Sequence, residues 1–380
     1  MTEPVIPGAG RSLRIGVGAA VTGLFVRAAL LVMVFGIFRH SWPEYLRTSD
    51  GGSFVSLSRV LAGLDRVEHL TLYDTRVFPG WPLLAAPFLA VGLPEQSVLV
   101  LALICAALAP WLYLTLTGDT AGTWLLAVFP PAWLLATIHP ISEAIYCCLI
   151  VAGCLAVQRR HWFLAGLAAG GAVLVRPFGL AWVVAFAVPL FFPRREKKPI
   201  AAYVLGGALM AALLAALNLG LYGDLLHQLR VYARPLSELN LHTAPDGSAE
   251  SPAGHWGWPF VNLIGTPFHY HVPVWKMVYI YGLAAFGFVL AAQAGRRLCR
   301  QPALPDWEKA ALVGFLGNTL MICCTGPYWG FHSFDRYFIW GLPGALVAAR
   351  PWWQHCRPLP WALATVSVGV TFLTVWMRFR

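Results

Sequence analysis

Long apolar runs, separated by short polar segments, dominate this chain. The first extends from Ile15 to Phe38, and the others lie at 79–93, 97–117, 121–138, 141–158, 162–175, 178–193, 200–222, 274–294, 309–326, 337–349 and 359–376. A helix needs about 20 consecutive apolar residues to cross a bilayer. The pattern therefore predicts an all-α fold, a polytopic transmembrane helical bundle of about 10–11 spans, in one membrane domain over residues 1–380.

Basic residues predict which side of the membrane each loop occupies. Arg11 and Arg14 precede the first run, which is too long for the apolar region of a signal peptide and predicts a first span with a cytoplasmic N-terminus. Lys and Arg gather on cytoplasmic loops. Three further basic clusters are expected there: Arg159-Arg160, residues 194–198 and Arg296–Arg300.

Five apolar runs lie between residues 15 and 158. The N-terminus and Arg159-Arg160 can both be cytoplasmic only if one of these runs does not cross the membrane. The run 79–93 is short and contains three prolines, so we expect a re-entrant segment. A break at Arg176-Pro177 divides 162–193 into two half-length helices. This topology leaves two long non-cytoplasmic segments, a first outer (periplasmic or lumenal) loop at 39–78 and a second outer loop at 223–273.

Composition supports a membrane protein. Apolar residues make up 58% of the chain and charged residues 12%, against about 45–50% and about 25% in soluble proteins. A soluble enzyme, a disordered protein and a disulfide-stapled secreted domain are thereby excluded. The net charge of +10 is explained by cytoplasmic loops, so no nucleic-acid partner is expected. None of the eight cysteines lies in either outer loop, which predicts no loop disulfide.

Acids and histidines concentrate on the predicted outer side. Asp50 precedes two glycines in the first outer loop, where it is either a ligand-accessible carboxylate or plain helix-capping chemistry. Glu143, close to His139, is either a first-turn acid that stabilises its helix or a cavity residue. Arg176 lies between half-helices and needs an anion. Arg336 is either an interfacial anchor or a phosphate ligand. The second outer loop contributes His255 and Trp256, and no metal ligand set is evident.

Taken in order, these segments resemble the GT-C superfamily of integral membrane glycosyltransferases, particularly the PIG-V-like mannosyltransferases. The matching segments are Asp50-Gly51-Gly52-Ser53-Phe54, Phe78-Pro79-Gly80-Trp81-Pro82, Pro140-Ile141-Ser142-Glu143, Arg176-Pro177 and Asp335-Arg336-Tyr337. The resemblance covers roughly residues 45–195, with a weaker match at 335–343. Ser49 replaces an aromatic residue of the family pattern, Phe54 replaces a tyrosine, and 223–273 has no counterpart.

The resemblance implies an inverting glycosyltransferase that moves a hexose, mannose foremost, from a polyprenyl- or dolichyl-phosphate sugar. The acceptor would be a lipid, glycan or protein on the non-cytoplasmic face. Asp50 would be the general base. The residues expected to bind the lipid phosphate are Arg336, Arg176, His332 and Arg59, and those expected in an acceptor site or cavity are Glu143, His139, His255 and Trp256.

The expected partners are the lipid-linked donor and membrane lipids, and a divalent cation is the one cofactor left open. The expected location is a bacterial inner (plasma) membrane, with the site facing the periplasm. A multi-pass transporter or lipid flippase is the alternative, since Arg27 and Arg176 lie within apolar runs and broken helices are typical of transporters. A third hypothesis is that the chain is a non-catalytic subunit of a membrane assembly.

Overall fold

The computed structural model describes residues 9–191, 197–233, 274–301, 303–323 and 334–380. Within those ranges the chain is helical and contains no strand. Its helices up to residue 158 are α1 (Ala9–Leu31), α2 (Trp42–Leu46), α3 (Gly51–Leu61), α4 (Gly80–Ala90), α5 (Val98–Thr117), α6 (Thr120–Val128), α7 (Pro131–Ile138) and α8 (Glu143–Gln158). A π-helix at Val32–Ile37 continues α1.

The later helices follow the same pattern of apolar segments and short connections. They are α9 (Trp162–Val175), α10 (Gly179–Ala187), α11 (Lys197–Tyr222), α12 (His227–Ala233), α13 (Val274–Arg300), α14 (Asp306–Cys323), α15 (Phe334–Ile339), α16 (Leu342–His355) and α17 (Leu359–Phe379). Most of the second outer loop, 223–273, lies outside the described residues.

Helices long and apolar enough to cross a membrane confirm the predicted polytopic all-α bundle. In the described part of the chain they are Ser12–Ile37, Glu95–Thr117, Lys198–Tyr222, Met277–Arg300 and Leu359–Phe379. Helices α6 and α7 add a sixth if they form one span, bent by 55°. Other apolar runs form shorter helices of 10–17 residues, namely Gly80–Ala90, Glu143–Gln158, Trp162–Val175 and Gly179–Leu190.

Two of the shorter segments have the form that the sequence predicts. Helix α4 has 11 residues, a length of about 16 Å, so it cannot cross a hydrocarbon core of about 30 Å. Helices α9 and α10 are separated at Arg176-Pro177. Arg176 has extended backbone (φ −156°, ψ 141°), as expected for a residue that precedes proline. This break puts Arg176 at the apex of a helical hairpin.

Helix α8 lies at the centre of the bundle, packed against α5 and α9. Small residues let α9 and α11 approach closely. A Cβ atom on Gly166 would lie 2.1 Å from the carbonyl oxygen of Tyr203, and one on Gly206 would lie 2.3 Å from that of Phe163. Such contacts need glycine because the helix backbones touch. The pairing is parallel, so the first turns of α9 and α11 lie side by side.

The arginine inside the first span faces protein. Arg27 is 1% exposed, and its Nε donates to Thr137 Oγ1 at 2.6 Å. Its Nη1 donates to the carbonyl oxygens of Gly23 and Ala127, both at 2.9 Å. These bonds tie α1 to α6 and α7. Arg27 therefore has a structural role in holding three helices together, consistent with the cost of an unpartnered charge at that depth.

Candidate functional site

Four charged side chains from distant parts of the sequence meet at one end of the bundle. They are Asp50 before α3, Glu143 at the start of α8, Arg176 at the hairpin apex and Arg336 on α15. We call this group the ion-pair cluster. Its two carboxylates and two guanidiniums balance in charge. The sequence predicted each residue separately, and the structure brings all four together.

Asp50 points its carboxylate away from its own helix. It occupies the N-cap position of α3, but its side chain makes no capping hydrogen bond there. Instead its Oδ2 accepts from Arg336 Nη1 at 2.5 Å, and its Oδ1 accepts from the Tyr73 hydroxyl at 2.8 Å. The carboxylate keeps 27% of its surface exposed. The sequence left open whether Asp50 caps its helix or is accessible to a ligand. The Asp50 side chain does not cap α3.

Glu143 is the most deeply buried member of the cluster. It is the first residue of α8 and is 0% exposed. Its Oε1 accepts from Arg336 Nε and from Arg176 Nη2 at 3.2 Å. Its Oε2 is buried with no hydrogen-bond partner among the described residues. A carboxylate in such a place is tolerated only when cations pair with it, and the α8 N-terminus favours its negative charge as well.

Arg176 is fixed in position by neighbours on every side. Its Nε donates to Ser142 Oγ at 2.6 Å. Its guanidinium lies over the Phe54 ring at 5.2 Å and over the Trp340 ring at 5.4 Å, measured to the ring centroids. Aromatic faces attract a cation at such distances. The side chain therefore holds one orientation toward Glu143 and is 11% exposed.

Arg336 joins the two acids of the cluster. It donates to both Asp50 and Glu143, and its side chain is 22% exposed. The third guanidinium nitrogen, Nη2, is buried and has no hydrogen-bond partner among the described residues. A guanidinium presents its donors in one plane, and here one of its three nitrogens has no partner to donate to among the described residues.

The electrostatics of the cluster keep Asp50 and Arg336 charged at neutral pH. Burial alone would raise the pKa of the Asp50 carboxyl, but the Arg336 and Arg176 guanidiniums outweigh it and lower that pKa to about 2. Burial alone would lower the pKa of Arg336, whereas Asp50 and Glu143 raise it well above its ordinary value. Asp50 and Arg336 are therefore both ionised.

His139 supports the segment that carries Asp50. It is 3% exposed, and its Nδ1 and Nε2 lie 3.1 Å from the Tyr45 hydroxyl and the Thr48 Oγ1, respectively. Burial, followed by the charges of Arg378 and Arg336, lowers the pKa of His139 to about 3. The ring is therefore neutral at physiological pH, and both nitrogens are used in holding residues 45–48 in place.

The other predicted site residues lie apart from the cluster or outside the described chain. Arg59 Nη1 pairs with Glu95 Oε1 at 2.6 Å, and its Nε lies 3.6 Å from Asp65 Oδ2. His332, His255 and Trp256 lie outside the described residues. The ranges that the structure describes contain no group of three or more His, Cys, Asp or Glu side chains arranged to hold a metal ion.

Tyr73 is the site residue that sequence reasoning missed. It lies 23 positions after Asp50, next to a one-turn 3₁₀ helix at Asp74–Arg76. Burial and the Asp50 carboxylate raise the pKa of its hydroxyl, so the hydroxyl remains a donor to that carboxylate. No periodicity marks such a loop residue, and the only available signal was a tyrosine in the same outer loop as Asp50.

The cluster combines a partly exposed carboxylate with two fixed cations. This arrangement can accept a proton at Asp50 and bind an oxyanion at Arg336 and Arg176. Comparisons of the chain with protein-family models, with curated proteins and with solved structures find no match. The resemblance to the GT-C superfamily therefore rests on the matching sequence segments alone.

Proposed function

We propose that this chain is an inverting glycosyltransferase that uses a polyprenyl- or dolichyl-phosphate sugar as donor. The proposed transfer moves a hexose, mannose foremost, to a lipid, glycan or protein acceptor at the non-cytoplasmic face. The observation that carries the proposal is the 2.5 Å pair between Asp50 and Arg336, within a cluster that also holds Glu143 and Arg176. The order of the GT-C-like segments supports it.

Asp50 is the general base in this proposal. As the acceptor oxygen forms its bond to the anomeric carbon, the acceptor proton passes to the Asp50 carboxylate. The bond from the anomeric carbon to the phosphate oxygen breaks, and the lipid phosphate leaves with that electron pair. Attack opposite the leaving group inverts the anomeric centre. The Tyr73 hydroxyl, bound to Oδ1 at 2.8 Å, fixes the carboxylate in one orientation.

Arg336 and Arg176 would stabilise the departing phosphate. Negative charge develops on the leaving oxygen, and fixed cations that face it lower the barrier. In this proposal a phosphate oxygen takes Nη2 of Arg336, which has no hydrogen-bond partner among the described residues, as one donor and draws the guanidinium away from Asp50. Arg176 is oriented in advance by Ser142 and by two aromatic rings, so little rotamer entropy remains to be lost on binding.

Donor binding would also activate the base. A carboxylate with a pKa of about 2 is a weak base for an acceptor hydroxyl, because general bases work best when their pKa lies near the working pH. A phosphate that binds Arg336 competes directly with Asp50 for the same guanidinium. Weakening that pair raises the pKa of Asp50, so the base becomes effective when the donor is in place.

Transport is the second candidate function, and the feature that favours it is the helix break at Arg176. Broken helices with intramembrane charges are typical of transporters. Arg27, the other candidate for such a role, is bound by Thr137 and by two helix carbonyls. Its guanidinium is thus used in helix packing, which favours catalysis at the cluster over transport through the first span.

The test is transfer of label by the purified chain in liposomes. The probes are radiolabelled polyprenyl-phosphate mannose and the corresponding hexose donors, with extracted membrane lipids and glycans as acceptors. Wild type should transfer label, and Asp50→Asn should lose at least about 100-fold of the rate. Glu68→Gln is the matched control, since Glu68 is an exposed acid in the same outer loop, and it should retain the wild-type rate.

Two outcomes would contradict the proposal. One is transfer by Asp50→Asn at the wild-type rate, which would remove the base. The other is movement of intact labelled donor across the bilayer with no transfer to any acceptor, which would favour the flippase.

A further inference from the structure

An open groove lies at the far end of α8 from the ion-pair cluster. It has a volume of about 410 Å³ and is formed by the α8–α9 turn and the first turns of α9 and α11. Its lining includes Arg160, His161, Leu164 and Lys198. Helix α8 has 16 residues, so about 24 Å separates its two ends. The groove is therefore a separate site, and it plays no part in the proposed transfer.

The polar side of the groove is basic. Arg160, His161 and Lys198 are exposed, and none of the described lining residues carries a carboxylate. Among the described residues this edge of the groove presents positive charge, which is complementary to a phosphate group.

The other side of the groove continues into an exposed apolar surface. Leu164 on α9 is 51% exposed and Leu205 on α11 is 62% exposed, although both helices bury their small residues against each other. The candidate membrane span Lys198–Tyr222 begins at the groove. Basic side chains thus lie at the end of a span, where headgroups are found, and exposed leucines lie on the span itself, where acyl chains are found.

The backbone at Arg160 has a conformation that is uncommon for an arginine. Arg160 has φ +59°. Glycine adopts this conformation without steric cost and is the residue usually found there just after a helix ends. The turn has the corresponding hydrogen bonds, from Arg160 N to Val157 O at 3.1 Å and from His161 N to Ala156 O at 2.9 Å. An arginine here places a cation on the groove at the expense of backbone strain.

We infer that this groove binds the phosphate headgroup of an anionic phospholipid, with the acyl chains lying along α9 and α11. The basic edge supplies Arg160 and Lys198 to the phosphate, and the apolar surface around Leu164 and Leu205 contacts the chains. The juxtaposition of a cationic groove with exposed apolar helix faces is what selects a lipid over a free anion.

Native mass spectrometry of the purified full chain in detergent tests this inference. The probes are dioleoyl phosphatidylglycerol, dioleoyl phosphatidylcholine with the same acyl chains, and inorganic phosphate. Wild type should retain phosphatidylglycerol in preference to phosphatidylcholine, and phosphate at the same concentration should not displace it. Arg160→Gly and Lys198→Gln should each weaken phosphatidylglycerol retention about fivefold, the effect of one basic residue at a membrane surface.

A matched control separates lipid binding from backbone strain. Arg39 is also exposed and has φ +56°, so Arg39→Gly removes the same charge and the same strain away from the groove. Both glycine variants should melt at or above the wild-type temperature, but only Arg160→Gly should lose lipid.

Three results would overturn the inference. Retention of phosphatidylglycerol by both groove variants at the wild-type level would remove the basic residues from any binding role. Equal retention of phosphatidylcholine would indicate apolar contact alone. Displacement of the lipid by equimolar phosphate would assign the groove to a free anion.

Discussion

The pairing of Asp50 with Arg336 predicts a stability effect that can be measured without knowing the substrate. The pKa of Asp50 falls from its ordinary value of 3.8 to about 2 in the folded protein. That difference corresponds to about 2 kcal/mol of stability at neutral pH. Asp50→Asn removes this contribution, so we expect the variant to unfold with a free energy about 2 kcal/mol below wild type at pH 7.

The stability difference between wild type and Asp50→Asn should decrease as the pH is lowered. The pKa of the Asp50 carboxyl is lower in the folded protein than in the unfolded chain. Its contribution to the free energy of unfolding is therefore fully present above the unfolded-state pKa. That contribution is lost as the pH falls through the folded-state pKa. The difference between wild type and Asp50→Asn should therefore be constant from pH 7 to pH 5, and about half of it should remain at pH 3.

Unfolding in mixed detergent micelles, followed by circular dichroism at each pH, measures this difference. Glu68→Gln again serves as the control, since an exposed acid should change stability by no more than about 0.5 kcal/mol. Combining Asp50→Asn with Arg336→Gln should give less than the sum of the single effects, because the two groups interact directly. A loss below about 0.5 kcal/mol for Asp50→Asn at pH 7, or an unchanged loss at pH 3, would refute the pairing.

Three further predictions follow from the contacts. Tyr73→Phe removes one hydrogen bond, worth about 1 kcal/mol, so labelled-sugar transfer should slow about fivefold while the donor KM stays constant. Arg176→Lys loses the planar fork and the ring contacts, and steady-state assays should show a donor KM about tenfold higher, whereas Arg59→Lys should leave it unchanged. Gly206→Ala should lower the free energy of unfolding by about 1–3 kcal/mol, whereas Gly220→Ala on the same helix, where a Cβ meets nothing within 4 Å, should not.

The hydropathy pattern predicted the main features of the fold because each is a local property. Apolar runs form helices where the bilayer offers the backbone no other hydrogen-bond partner. Proline explains the break after Arg176 and contributes to the short helix α4. What periodicity could not predict was length, since several apolar runs form helices of 10–17 residues that pack within the bundle.

The charged residues of the site were predictable from composition and order. In a chain with 12% charged residues, few side chains are candidates. Arg176 stands out because a cation between half-helices needs an anion, and Asp50 because it precedes two glycines in an outer loop. Glu143 and Arg336 stand out because each lies at the start of an apolar run. Their pairing was not predictable, because it depends on how four separate segments pack.

Contacts made by irregular loops could not be predicted from the sequence. The Tyr73 hydroxyl reaches Asp50 because one-turn 3₁₀ helices fold the loop back, and no repeat or spacing encodes that path. Arg59 pairs with Glu95 across 36 positions, so its guanidinium is already occupied away from the cluster. The prediction that Arg59 binds the lipid phosphate depends on its position on α3, the helix that follows Asp50.

In the proposed reaction Asp50 acts as the base and competes with the lipid phosphate for Arg336. The most direct test measures two quantities on the same purified Asp50→Asn protein, the equilibrium binding of radiolabelled polyprenyl-phosphate mannose and its transfer to acceptor. We expect binding at least as tight as wild type, because Arg336 is released, together with a loss of at least about 100-fold in transfer. Transfer at the wild-type rate, or donor binding weakened in proportion to transfer, would contradict it.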